Sequence, residues 1–245
     1  DLILGYAGIM SLGHAAFFGL GAYAAGLFCI HVSPDPIIGL LAGMLVAGLG
    51  GLIFSITVLR GTHLTVVMVT LGVSLVLYEV ANYLTGLTGG ADGLQGVDMA
   101  PVFGVFQFKF DGITAAYYSL AVLLVFLFIC RRLVHSPFGF SLKAIRDNRL
   151  RATAIGISAE RRIILIYTIA GAIAGVAGAV QAQSMNFASL EVFSFEKSAD
   201  VLLMVVIGGT AWVYGGFLGA IVFSGLHHIL SDITPQYWTF WMRIV

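Results

Sequence analysis

The stretch "PIIGLLAGMLVAGLGGLIFSITVL", Pro36 to Leu59, carries no charged residue and shows no alternation of polar with apolar side chains. A barrel strand in a membrane alternates over about ten residues, whereas this segment is apolar on every side. It is long enough for the roughly 20 residues a helix needs to cross hydrocarbon. Thr62 to Tyr83 is likewise apolar on every side, with Glu79 as its one acid. Two such neighbours decide the fold class as all-α, a polytopic transmembrane helical bundle.

The rest of the chain agrees. Of 245 residues, 59% are hydrophobic and 10% are charged, against about a quarter charged in soluble domains. Twelve basic and twelve acidic residues cancel, which gives no footprint for nucleic acid. Cys29 and Cys130 sit at the ends of separate apolar blocks without metal-like spacing and read as inert thiols. Thirty-one glycines exceed what lipid-facing surfaces need, and small residues let helix backbones approach closely in a membrane.

Further apolar blocks cover Ala15 to Ile30, Thr62 to Thr85, Ala115 to Cys130, Ile163 to Ala182, Val201 to Val213 and Gly216 to Leu230. With Pro36 to Leu59 they make seven, four of them short. The last two are separated only by Tyr214 and Gly215, and at about 1.5 Å per residue neither covers a core of about 30 Å. Broken or re-entrant helices are expected there, and in transporters such backbone marks the permeation path. Small-residue faces recur at Ala15, Gly19, Ala22 and Gly26, at Gly171, Ala174, Gly175 and Gly178, and at Gly216, Gly219, Ala220 and Ser224. Close helix packing is their expected use.

Basic residues concentrate between Arg131 and Arg162, so the positive-inside rule places this 131–162 loop in the cytoplasm. The 86–114 loop then lies outside, with Asp92, Asp98 and Asp111 against Lys109. It reads as a folded extracytoplasmic or path-lining element, or a solvated connector. Residues 1–245 are expected to form one transmembrane domain, and a start at Asp1 rather than Met, with an end at Trp241 to Val245 that lacks the usual polar tail, points to a piece of a longer chain.

Chemistry-bearing residues are few. His14 lies at the mouth of the first block, close to Ser11, where it serves as a local cap or a functional ionisable group. Glu79 is the only acid inside a long apolar block and must face protein or water. His227 and His228 are adjacent, about 100° apart on a helix, and cannot share a metal as an i, i+4 pair does. HExxH, GxSxG and GxxxxGK[ST] are absent from the sequence. Any ATP that drives this protein binds another chain.

In "RRLVHSPFGFSLKAIRDNRLRATAIGISAERR", Ser136 and Pro137 form a helix start, cap followed by proline at the first helical position. Leu142 and Ile145 share one face, and Lys143, Arg146 and Arg149 form a basic row on another. The short amphipathic helix so defined rests on anionic headgroups of membrane lipid or docks into a partner, with Phe138 and Phe140 as anchors.

Four motifs in order, "GYAGIMSLGHAAFFGLGAYAAGL", "TGGADGL", "SPFGFSLKAIRDNRLRATAIGI" and "VLLMVVIGGTAWVYGGFLGA", resemble the permease family of ABC importers for branched-chain amino acids, specifically its LivM-type subunits. The resemblance implies ATP-driven alternating access in a bacterial or archaeal inner membrane. It also implies a second, LivH-type permease, two ABC ATP-binding subunits that hold ATP and Mg, and a periplasmic amino-acid-binding protein. No cofactor is expected on this chain. The loop from Phe138 to Gly156 would be the coupling element, with Phe138, Gly139, Leu142, Lys143, Ile145, Arg146, Arg149 and Gly156 as its residues. "RATAIGI" is similar to the glycine-containing EAA loop, although Arg151 stands near the position of the usual glutamate. Candidates for the translocation path are Ser11, His14, Phe17, Gly19, Glu79, Thr88, Gly89, Gly90, Asp92, Gly208 and Gly209. A urea or short-amide permease shares the motifs, and a stand-alone secondary transporter would require more intramembrane acids than Glu79.

Overall fold

The computed structural model of the chain describes residues 1–61, 63–101 and 112–233. The described residues contain ten α-helices: α1 (His14–His31), α2 (Pro36–Arg60), α3 (His63–Tyr83), α4 (Thr85–Thr88), α5 (Ile113–Val134), α6 (Pro137–Asp147), α7 (Arg149–Ala154), α8 (Ala159–Met185), α9 (Phe195–Gly208) and α10 (Gly215–Ile233). A π-helical turn at Leu2–Tyr6 precedes them, and the only strand-like pairing among the described residues is the bridge between Leu94 and Ala188. The fold is all-α, as the apolar blocks required.

Five helices, α1, α2, α3, α5 and α8, are long and apolar enough to cross a membrane. Two blocks that read as short are therefore long enough to cross: α1 has 18 residues and α5 has 22. In α5 the apolar run stops at Arg131, but the helix continues through Arg131 and Arg132, whose charges suit the negative end of the helix dipole. α9 remains short, its 14 residues covering about 21 Å. The break follows Gly208 rather than Val213, and Gly215 already belongs to α10.

α1, α2 and α8 form the tightly packed centre. A methyl group added to Gly21 would collide with the backbone of Gly175, and one at Gly178 with the carbonyl of Phe18. One at Gly43 would lie 2.8 Å from the Gly21 carbonyl oxygen, and one at Gly51 2.9 Å from that of Tyr167. Backbone thus packs on backbone, the arrangement small residues permit. The α8 face of Gly171, Gly175 and Gly178 serves as expected. On α1, however, the side of Gly19 and Gly26 receives the side chains of Phe193 and Leu94 rather than another helix.

α3 and α5 stand at the periphery. None of the most apolar part of α5 is buried, and an apolar groove lined by Leu40, Tyr118 and Phe126 separates it from α2. Tyr118 ties it to the centre by donating to Gln183 Oε1 at 2.8 Å, while Gln183 Nε2 donates to the Pro36 carbonyl at 2.8 Å.

Candidate translocation path and cytoplasmic surface

α1 starts inside the bundle. Gly8 to Gly13 is not helical, Gly8 has φ +69°, and this backbone is enclosed by α3, α8 and α9. Irregular backbone at membrane depth survives only when protein satisfies it, and here hydroxyl groups do so. Ala15 N donates to Ser198 Oγ at 3.1 Å, Leu12 N to Thr70 Oγ1 at 3.2 Å and Gly13 N to Ser11 Oγ at 3.4 Å. Ser11 Oγ and Tyr167 OH share a hydrogen bond of 2.8 Å. His14 is the first helical residue, its ring edge-on to Phe17 at 6.2 Å, and Phe17 is buried between Phe54 and Tyr167. The structure thus brings Ser11, His14 and Phe17 together and puts Gly19 one turn further on, under Phe193. Thr70, Tyr167 and Ser198 escaped sequence reasoning; their signal was a lone hydroxyl within or beside an apolar block.

Glu79 does not join this cluster. It lies nine residues beyond Thr70, about 180° around the helix, on the exposed side of α3.

Beyond the C-terminal end of α3, Thr88, Gly89, Gly90 and Asp92 form a compact knot. Thr88 Oγ1 donates to the Leu84 carbonyl at 2.8 Å and accepts from Gly90 N at 3.3 Å. Gly89 and Gly90 have φ of +75° and +56°, and a side chain on Gly89 would strike the Gly93 carbonyl. Leu94 then pairs with Ala188, N to O at 2.8 and 3.1 Å, and is buried against Gly26. The first part of the outer loop is therefore folded onto α1 and the end of α8, with Asp92 exposed. Lys109 and Asp111 lie outside the described residues.

α9 and α10 form an antiparallel hairpin. Methyl groups added to Gly208 and Gly219 would meet the carbonyls of Gly215 and Met204 respectively, so backbones touch over two turns. Gly208 and Gly209 close α9, and the turn that follows holds Gly209 at φ +94° and Ala211 at φ +64°. For alanine this is an uncommon, strained conformation. Ala211 N donates to Asp1 Oδ1 at 2.9 Å, which fastens the turn to the start of the chain.

The amphipathic helix expected after Ser136 is α6, capped by Ser136, which accepts from Gly139 N at 3.4 Å. Gly139, Leu142 and Ile145 are buried and face the bundle. The basic row does not all point outward. Arg146 Nη1 donates to the Gly5 carbonyl at 2.6 Å, and Lys143 Nζ lies 5.3 Å from the Tyr6 ring centroid. Phe138 lies under Arg162, 5.1 Å from its guanidinium. α6, the Leu2–Tyr6 turn and the α9–α10 turn are thereby joined by polar contacts.

Exposed on the outer surface of this segment are Phe140, Arg149, Leu150, Ile155 and Gly156, together with Asp147, Arg151 and Thr153. Leu150 is 82% exposed and Ile155 75%, while Ala152 is buried. Leu150 is about 200° from Ala152 around α7, so it faces away from the bundle. Gly156 closes α7 with φ +89°, the left-handed stop glycine supplies most easily. Leu150 and Ile155 were passed over in the sequence because no periodicity of α7 shows within six residues.

Among the described residues no three of His, Cys, Asp and Glu gather to hold a metal ion.

Comparison with known proteins gives a consistent result. Residues 1–244 match the family described as the permease component of branched-chain amino acid transport systems. The high-affinity branched-chain amino acid transport system permease protein LivM of Escherichia coli (strain K12) is 30% identical over 258 residues, covering 95% of this chain and 60% of that relative. The probable branched-chain amino acid transport permease protein LivM of Methanocaldococcus jannaschii is 26% identical, covering 95% and 76%. The ribose import permease protein RbsC of Bacillus subtilis is 29% identical over 65% of this chain. The chain spans 60% of the length of the Escherichia coli relative. No solved structure matches.

Proposed function

The chain belongs to the permease-component family of branched-chain amino acid transport systems, and on that premise we propose that it is part of the LivM-type membrane subunit of an ATP-driven importer. The observation that carries this reading is a family match running through all five potential crossings. Branched-chain amino acids are the proposed cargo. A LivH-type permease completes the path, a periplasmic binding protein delivers the substrate, and two ABC subunits bind ATP and Mg. The assembly sits in the inner membrane.

The geometry supplies a mechanism for such an assembly. Phe140, Leu150 and Ile155 offer apolar anchors flanked by Arg149, the composition of interface hot spots. An ATPase surface with an apolar cleft and an acidic rim would receive them. Closure of the ATPases on ATP would pull α6 and α7, and the bonds from Arg146 to Gly5 and from Asp1 to Ala211 would carry that displacement to the α9–α10 turn. The Leu2–Tyr6 turn also leads directly into the unwound start of α1, so both broken elements would respond to one input. A zwitterion with an apolar side chain has no net charge, and the hydroxyl-lined start of α1 imposes none.

The test is uptake of radiolabelled leucine by proteoliposomes holding the full-length protein, the second permease and the ATPases, with binding protein outside and ATP inside; urea is run in parallel. Leucine uptake that needs both ATP and binding protein is expected. Flux by this protein without ATP or partners would overturn the reading.

A further inference from the structure

Gly19, Tyr23 and Gly26 share one face of α1 at steps of four and three. A glycine face inside a membrane bundle normally receives the backbone of another helix, as Gly21 on the opposite side of α1 receives Gly175. Over Gly19 and Gly26 lie instead two side chains, Phe193 and Leu94, each carried by a turn between helices. The two turns are joined by the paired hydrogen bonds of Leu94 and Ala188. Phe193, Leu94 and Tyr23 are all buried, and Phe193 stacks on the Tyr23 ring at 5.5 Å with 17° between the planes.

Tyr23 adds a second, independent sign. It is 5% exposed, and its enclosed hydroxyl has no hydrogen-bond partner among the described residues. Phenylalanine would make the same stack without leaving a buried hydroxyl unpaired, so the hydroxyl points to a partner outside the chain. The covering residues describe that partner. With no side chain on Gly26 the face is hollow there, and a methyl group built on it would lie 2.6 Å from Leu94 Cδ2. The hollow thus already holds a leucine side chain, and whatever displaces Leu94 matches it in size and polarity. The turn of Phe193 leads through Ser194 into α9, so movement of the α9–α10 hairpin draws Phe193 off Gly19 and Tyr23.

We propose that the Gly19–Tyr23–Gly26 face of α1 is a cargo-binding hollow plugged by this chain's own Leu94 and Phe193: when the two turns lift, a branched aliphatic side chain takes the place of Leu94 over Gly26, and the Tyr23 hydroxyl donates to the carboxylate of the same amino acid. This rests on the proposed importer reading and assigns residues to its cargo. Leu94 is then an internal stand-in for the cargo, and the absence of a side chain at Gly26 sets the size that fits.

The experiment uses the complete complex, co-expressed from full-length subunits and reconstituted in proteoliposomes, with binding protein saturated with radiolabelled leucine or valine. Tyr23→Phe should lower leucine uptake about tenfold, the scale of one hydrogen bond to a charged group. Its thermal unfolding midpoint should not fall, because the hydroxyl has no partner to lose in the plugged arrangement. Undiminished uptake, or a loss of uptake that comes with a lowered midpoint, would overturn the role given to the hydroxyl. Gly26→Ala should lower leucine uptake relative to valine by about tenfold, as one methylene in an apolar pocket implies. Adding Leu94→Ala relieves the crowding inside the plugged protein but not the crowding against cargo, so the shifted ratio should persist in the double variant. An unchanged ratio in Gly26→Ala, or its return to the unsubstituted value in the double variant, would overturn the hollow as a cargo site. Failure of the unsubstituted complex to take up either amino acid would overturn the importer reading and this proposal with it.

Discussion

The α1–α2–α8 centre and the α9–α10 hairpin are both built on glycine, yet they use it to opposite ends. In the centre, Gly21, Gly43, Gly51, Gly175 and Gly178 bring three backbones together so closely that no side chain fits between them. In the hairpin, Gly208, Gly215 and Gly219 bind two helices to each other, while among the described residues the attachment of the pair to the rest is sparse. α9 reaches α1 and α3 lightly and α10 packs against α9. At the turn the hairpin is fastened by Ala211 and Asp1. A close-packed unit bounded by backbone contacts has one arrangement, whereas a unit hinged on a few polar contacts can take two. The lesson is that glycine content alone does not distinguish a rigid element from a moving one; what the glycine touches does.

The largest expected effect follows from filling the centre. Gly178→Leu places a branched side chain against the Phe18 carbonyl and should abolish recovery of folded protein, at or beyond the roughly 1–3 kcal/mol usual for overpacking. Detergent-solubilised yield and thermal unfolding measure it, and a normal yield would dissolve the distinction between the two regions. Next comes the cytoplasmic surface. Leu150→Asp should cut co-purification of the ATPases about thirtyfold, as loss of a hot spot worth about 2 kcal/mol implies. Membrane insertion should be unchanged, since Leu150 is largely exposed.

Arg146→Ala sharpens the comparison by severing the link between them. The guanidinium bond to Gly5 is a charge-assisted one, so its loss should lower uptake about tenfold while ATP hydrolysis and ATPase docking persist. The smallest effect is expected on α5, where Leu124→Ala removes an exposed side chain and should change stability by less than about 0.5 kcal/mol.

How far these regions could be read from the sequence follows from their physics. Length and hydropathy are local properties, so the helices and the start of α6 at Ser136 and Pro137 were legible. The ends of α5 and α9 were not, because a hydropathy window stops at Arg131 and runs past Gly208, whereas the helix ignores the first and breaks at the second. Candidate residues fared according to how local their environment is. The knot of Thr88, Gly89 and Gly90 is a turn written in consecutive residues. The pairing of Ser11 with Tyr167, 156 positions apart, depends on tertiary packing that no spacing encodes. Arg146 belonged to a legible basic row, but its inward turn depends on where the Gly5 carbonyl lies in space. Leu142 and Ile145 were visible as an apolar face, and the structure adds that this face is spent on the bundle, leaving Leu150 and Ile155 outside.

The most direct test of the central claim, a fixed three-helix centre with a hinged hairpin driven from the cytoplasmic side, is a pair of spin-label distances in the reconstituted complex. One pair joins Leu45 on α2 to Leu165 on α8, and the other joins Leu165 to Trp212 in the α9–α10 turn; all three positions are exposed. Between the nucleotide-free and the ATP-trapped complex, the first distance should stay within its distribution and the second should shift beyond it. A shift of the Leu45–Leu165 distance as large as that of Leu165–Trp212, or no shift of either in a complex that transports, would contradict the account.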